Sequence, residues 1–282
     1  MLALGACATV QPSAPAPTIP PGMQYLYGSG EAAALSVQAW QALTRYVRDQ
    51  KNLVFRAAGT RVSVILSPTA TLAAPEFERC GMKPLAAVFD VDETVLLNLG
   101  FEANDAAHPA PYDEARWQSW ERTGATQVSA VPGAARALTE LRAMGVTVIF
   151  NSNRAAANAD ATAAAITGAG LGSAIHGETL FLSGDDAMGS KKDGRRAMIA
   201  ARYCVIAMGG DQLGDFSDLF NAGLTPPARR AATLAPAIAA KWGNGWFVLP
   251  NPVYGSGLKG GLDDVFPLDK RWAPPAIKEG AE

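Results

Sequence analysis

Apolar residues fall in short runs along most of this chain, and each run is followed by polar residues and then by a stretch of helical periodicity. LAAVF (85–89), VTVIF (146–150), TLFL (179–182), CVIAM (204–208) and WFVL (246–249) are too short for buried helices, so they are expected as strands. Between and after them, residues 133–144, 155–167, 192–203 and 228–241 are expected as helices, the first closed by Gly145 as its C-cap. Upstream, Leu35, Ala39, Trp40, Leu43 and Val47 recur at helical spacing and predict one amphipathic helix over 31–50. Strands that are apolar throughout need cover on both faces. The pattern therefore predicts an α/β fold, a Rossmann-like parallel sheet with helices on both sides.

In such a sheet, ligands gather at the carboxyl ends of the strands, and this chain puts its charged chemistry there. The run PLAAVFDVDETVLLN ends in Asp90, Asp92 and Glu93, with Thr94 straight after. Extended backbone aims Asp90 and Asp92 the same way, and two converging carboxylates repel unless a cation or a shared proton lies between them. That implies a metal. VTVIF is followed by Asn151, Ser152, Asn153 and Arg154, and CVIAM by a glycine-rich turn carrying Asp211, Asp215 and Asp218. Between those two, Lys191, Lys192, Arg195 and Arg196 cluster at the start of a helix. Taken singly these are helix caps, a solvated charge run and an acidic turn; in this order at successive strand ends they read as one site.

Composition narrows the partners. The 282 residues are 49% apolar and 18% charged with a net charge of -2, enough for a full core but without the basic surface that would hold a nucleic-acid polymer. Small anions remain suitable ligands. The N-terminal LGAC, ending in Cys7, has the form of a bacterial lipoprotein box, although no basic n-region precedes it, and a Pro-rich stretch suited to a tether follows. Residues 1–22 are thus expected to be a truncated lipoprotein signal and tether, and no later run is long enough to span a bilayer. Other phosphate chemistries are absent: no cysteine has an arginine six residues on, and His108 and His176 lack an arginine-rich setting. GDDAMGSK (184–191) places its lysine after the serine, and the GxGxxG at 255–260 has too little chain after it for a βαβ unit of ~30 residues.

The ordered set AVFDVDET, NSNR, the Lys/Arg helix and GGDQLGD resembles the four motifs of the haloacid dehalogenase superfamily. With SAVPGA (129–134), LPNPVYG (249–255) and the lipobox, the chain is similar to the bacterial lipoprotein acid phosphatases with four motif aspartates, the lipoprotein-e type of 5'-nucleotidase. It departs from the usual pattern at Gln212, where asparagine is common, and at Leu99-Gly100-Phe101, which replaces Ser-Pro-aromatic.

The resemblance implies hydrolysis of phosphomonoesters, nucleoside 5'-monophosphates among them, with Mg²⁺ held by Asp90, the backbone carbonyl of Asp92, Asp211 and Asp215. Asp90 would be the nucleophile, Asp92 the general acid and base, Ser152 a partner of the phosphoryl group, and Lys192 the neutralising cation. Lys192 is preferred to Lys191 because it keeps the three-residue step to Arg195. Phe101 and Tyr254 are the expected stacking pair, with Asn153 and Arg154 as further substrate contacts. The implied setting is a bacterial envelope, with the protein held by lipid on Cys7, and self-association is left open. Residues 23–282 would form a single phosphatase domain, with an N-terminal helical segment over 23–80 and a small helical cap over 98–130. Asp90 and Asp211 sharing one metal would make their strands neighbours, which would bring Cys80 and Cys204 to one rim and predicts a disulfide between them. Two other functions stay open: a ligand-binding lipoprotein that keeps the fold without turnover, and a phosphotransferase that passes the phosphoryl group to an alcohol.

Overall fold

The structure, a computed structural model, describes residues 18–53 and 61–274; Cys7 and most of the tether lie outside them. The strands are β1 (Val62–Leu66), β2 (Phe77–Arg79), β3 (Leu85–Phe89), β4 (Leu96–Leu97), β5 (Ser129–Ala130), β6 (Thr147–Ala155), β7 (Leu180–Ser183), β8 (Cys204–Gly210) and β9 (Trp246–Val248). Five of them form the central sheet in the order β7-β6-β3-β8-β9, with every neighbouring pair parallel.

Both faces are covered, as the continuous apolar runs require. Ala87 and Phe89 of β3 pack with Trp40, Leu43, Leu138 and Leu141 on one side. Ala86 and Val88 pack with Ile199, Phe216, Phe220 and Trp246 on the other. The first layer rests on the helices Gly30–Leu53, Ala134–Ala143 and Ala159–Gly168, and the second on the helix Asp193–Arg202 and the β1-β2 hairpin. Gly145 sits at φ +74, the left-handed conformation that ends a helix. Cys80 and Cys204 are joined by a disulfide with Cα atoms 4.6 Å apart, at the rim of the sheet opposite the acids.

Four expectations need correction. The stretch 155–167 is not one helix: β6 runs on through Ala155, a 3-10 turn Ala156–Asn158 follows, and the helix starts at Ala159. The stretch 228–241 is split into Pro226–Leu234 and Pro236–Ala239. The cause is Pro236, which clashes with helical backbone before it and leaves Ala235 extended at φ -58, ψ 132. Leu35 is 45% exposed; the buried stripe of its helix runs through Ala32, Ser36, Trp40, Leu43 and Val47. The segment 23–80 is not helical throughout: beyond the helix Gly30–Leu53, residues 62–79 contain the β1-β2 hairpin, while 98–130 does carry two helices, Leu99–Ala107 and Glu114–Thr123. Among the described residues no helix is long and apolar enough to cross a membrane.

Candidate active site

Register brings the acids together. Phe89 lies level with Phe150 of β6 and Gly209 of β8, so the residues that follow all leave the sheet at one edge. The approach is close because Gly209 and Gly210 carry no side chain: a Cβ on Gly209 would stand 2.8 Å from the Phe89 ring, and one on Gly210 2.3 Å from the Asp215 Cβ. Asp90, Asp211 and Asp215 each offer a carboxylate oxygen, all within 4.8 Å of one another. Lys192, at the start of the helix Asp193–Arg202, donates from Nζ to Asp90 Oδ1 and to Asp215 Oδ1, the latter at 2.7 Å. Lys191 is exposed, so the structure brings Lys192 and not its neighbour into the cluster.

Charge in this cluster is not balanced. The Thr94 hydroxyl stands 3.1 Å from Asp211 Oδ1 and 3.4 Å from Asp90 Oδ2, but it has one proton for two acids. Asp211 Oδ2 accepts from Asn251 at 2.7 Å and Gln212 at 3.1 Å, and Asp215 Oδ2 accepts from the Gln212 backbone at 2.9 Å. Burial pushes Asp90 well above the usual carboxylate range; Lys192 opposes this, while Asp215, Asp211 and Asp92 add to it. Burial, followed by repulsion from Asp215, pushes Asp211 up to about 7, with Asn251 and Gln212 pulling the other way. For Lys192, burial disfavours the charge, but Asp215 and Asp90 outweigh it and its pKa rises. Three buried carboxylates around one ammonium, presenting hard oxygen atoms, fit a divalent cation of the Mg²⁺ kind.

Asp92 takes a different place. Its carboxylate is outside the cluster and accepts from Arg154 Nε at 3.0 Å and Nη2 at 2.7 Å, and from Asn98 Nδ2 at 2.9 Å. Arg154, expected against substrate, is instead only 2% exposed and is spent on Asp92 and on Asn98 Oδ1 at 2.9 Å. Ser152 is buried, with Oγ 3.4 Å from Asp92 Oδ2. Asn153 lines the cavity while its Oδ1 accepts from Arg195 at 2.6 Å.

Above the acids opens a cavity of about 610 Å³ lined by Asp90, Asp92, Phe101, Trp117, Lys192 and Tyr254, among others. Phe101 is edge-on to Trp117 with ring centroids 5.0 Å apart, and the Arg116 guanidinium lies 4.6 Å over its ring. Tyr254 donates its hydroxyl to Glu93. Glu93 is buried with φ +55, the one described non-glycine residue in the left-handed region, and also accepts from Tyr27 Oη at 3.2 Å and the Asn98 N–H at 3.0 Å. It ties the N-terminal segment, the first motif and the C-terminal loop together at the cavity wall.

Comparison with known proteins decides the family. The profile of the HAD superfamily, subfamily IIIB (Acid phosphatase), matches residues 32–257. The chain belongs to this family. Two solved structures are similar in fold: the class C acid phosphatase from Bacillus anthracis with tungstate bound, 24% identical with a TM-score of 0.64, and a second structure of the class C acid phosphatase from Bacillus anthracis, 23% identical with a TM-score of 0.65. Each comparison covers 84% of this chain and 84% of the other. No curated protein sequence matches the chain.

Several residues that shape this acid phosphatase site went unassigned in the sequence. Arg196 is 1% exposed and donates from Nη1 to the carbonyls of Gly214 at 3.0 Å and Asp215 at 2.9 Å. It also grips Asp193 Oδ1, while Asp218 accepts from the N–H groups of Lys192 at 2.9 Å and Asp193 at 2.7 Å. This clamp fixes the Lys192 helix against the acidic turn. Buried Glu121 accepts from Asn158 at 2.6 Å and the Ala155 N–H at 3.2 Å, docking its helix on the end of β6. Trp120 Nε1 reaches Asn98 Oδ1 at 3.0 Å, so the same helix is wired through Asn98 to Asp92. Apart from Arg196–Asp193, three residues apart on one helix, spacing carries no signal for these contacts, which join residues far apart in the chain. Thr94 and Asn251 did stand in motifs that were legible, DVDET and LPNPVYG.

Proposed function

We propose that this acid phosphatase is a Mg²⁺-dependent enzyme acting on nucleoside 5'-monophosphates and similar phosphomonoesters through an aspartyl-phosphate on Asp90. The observation that carries the reading is the placement of Asp90 on the cavity wall, with Lys192 on one oxygen and Asp211 and Asp215 within 4.8 Å. Asp90, Asp211 and Asp215, with the Asp92 carbonyl, would hold the ion, whose charge offsets that of the phosphate ester and of the acids around it.

Asp90 attacks phosphorus and needs no base to do so as a carboxylate; the bond to the leaving oxygen breaks as the Asp90–phosphorus bond forms. Lys192 neutralises the phosphoryl oxygens, and Ser152 would hydrogen-bond one of them. Asp92 gives a proton to the departing alkoxide, then takes one from the water that attacks phosphorus and frees Asp90. Such acid-base help is typically worth ~10²–10⁴-fold. Phe101 and Tyr254 offer faces for a base in a cavity of about 610 Å³, a volume suited to a nucleotide. The tungstate carried by one of the similar structures is a tetrahedral oxyanion, the shape this site is built to receive.

Lipid on Cys7 would hold the enzyme in the bacterial envelope. The Cys80–Cys204 disulfide supports export, since such bonds persist in oxidising compartments. The test is phosphate release from a panel of monoesters with EDTA, with Mg²⁺ restored, and untreated. Nucleotides should be among the best substrates and EDTA should stop turnover until Mg²⁺ returns; turnover indifferent to EDTA would overturn the metal assignment.

A further inference from the structure

One buried carboxylate in the cavity takes no part in the phosphoryl chemistry. Glu102, in the first turn of the helix Leu99–Ala107, is 6% exposed and lines the same cavity as Asp90 and Asp92. Among the described residues no donor is hydrogen-bonded to its carboxyl oxygens, although its backbone N–H is satisfied by the Asn98 carbonyl at 3.0 Å. The cation that could have served it is committed elsewhere: Arg116 donates to Asp105 Oδ1 at 2.6 Å and Asn104 Oδ1 at 2.8 Å, and its guanidinium covers Phe101. The Glu102 carboxyl oxygens are open to the cavity, where hydroxyl groups brought by a ligand can take the place of water.

We infer that Glu102 binds sugar hydroxyl groups on the leaving group of the substrate, and so selects hydroxylated alkyl monoesters such as ribonucleotides over aryl monoesters. The inference rests on the nucleotide reading above and names the residue that would enforce it. Hydroxyls suit this acid because each both donates and accepts, which satisfies a carboxylate and a protonated carboxyl alike. Glu102 adjoins Phe101 in the chain, and both line the cavity, so a base on the ring and a sugar on the carboxyl group are neighbouring demands of one leaving group.

The experiment compares kcat/KM for adenosine 5'-monophosphate, its 2',3'-dideoxy analogue and phenyl phosphate in the wild type, Glu102→Ala and Glu102→Gln. The wild type should prefer the dihydroxylated nucleotide to the dideoxy analogue by about tenfold, the effect of a hydrogen bond to a charged group. Glu102→Ala should erase that preference while phenyl phosphate turnover stays within about twofold, and Glu102→Gln, whose amide still donates and accepts, should keep part of it. Equal wild-type turnover of the two nucleotides overturns the inference alone, whether or not the variants fold. A uniform loss on all three substrates in both variants does the same, by making Glu102 structural. A wild type that hydrolyses phenyl phosphate and neither nucleotide overturns the nucleotide reading, and this inference with it.

Discussion

Replacing Lys192 with methionine should expose how much of this site depends on a single cation. The Lys192 side chain is 6% exposed, and its ammonium is shared by two carboxylates that are themselves 8% and 7% exposed. Methionine keeps most of the stem volume and removes the charge, leaving Asp90 and Asp215 buried beside Asp211 with no positive neighbour in contact. Breaking a buried ion pair from one side costs about 3–5 kcal/mol. At about 2–4 °C per kcal/mol for a domain of this size, the metal-free melting temperature should fall by about 10 °C. Added Mg²⁺ should recover part of that loss, since the same carboxylates would hold it. Turnover should fall by about 10²–10³-fold, the usual cost of removing one preorganised charge at a phosphoryl site. Differential scanning fluorimetry with and without Mg²⁺, followed by phosphate-release kinetics, reads both effects, and Lys191→Met at the exposed neighbour should be silent in both. A Lys192→Met protein melting within about 2 °C of wild type and turning over within about threefold would mean that the site does not depend on this cation.

Two more outcomes follow from the geometry. Asp92→Asn should slow alkyl phosphates by about 10²-fold or more and aryl phosphates much less, since a phenolate leaves without a proton; equal slowing would make Asp92 a positioning group held by Arg154. Burial, with repulsion from Asp105 adding to it, pushes Glu102 up to about 7 from 4.5, so the folded state keeps a proton that the unfolded chain has lost between those values. The stability linked to this raised acid is fully present below about pH 4.5 and is lost as pH rises through about 7, up to about 3 kcal/mol. Glu102→Gln should therefore melt close to wild type at pH 4.5 and several degrees above it at pH 8; a gap that does not change with pH would contradict the assignment.

The strand ends were legible because the physics there is local. An apolar run closing on Asp90, on Asn151 or on Gly209 marks both a parallel strand and the edge at which its ligands sit, and the five strands appear within a residue or two of those runs, save that β6 continues through the polar residues that follow. Helix ends were less legible where two demands competed. Residue 155 has good helical composition, yet β6 continues through it because Ala155 pairs with Ser183 of β7, beyond a shift of register after Asn151. Arg154 shows the deeper limit. Its place after the strand signalled a cation at the site, but whether it faces substrate or Asp92 depends on Asn98, which receives one of its N–H groups at 2.9 Å from a different segment. Glu93 is similar: its bonds to Tyr27 and Tyr254 join three distant stretches, and neither composition nor periodicity encodes them.

Everything proposed for this site turns on covalent phosphorylation of Asp90. Acid quenching of the enzyme within milliseconds of mixing with phosphate-labelled substrate, followed by peptide mapping, tests it directly. Acid-stable, alkali-labile label should appear on the peptide containing Asp90 when Mg²⁺ is present, be chased by unlabelled substrate and be absent from Asp90→Asn. Rapid turnover with no protein-bound label at any quench time, or substantial turnover by Asp90→Asn, would contradict it.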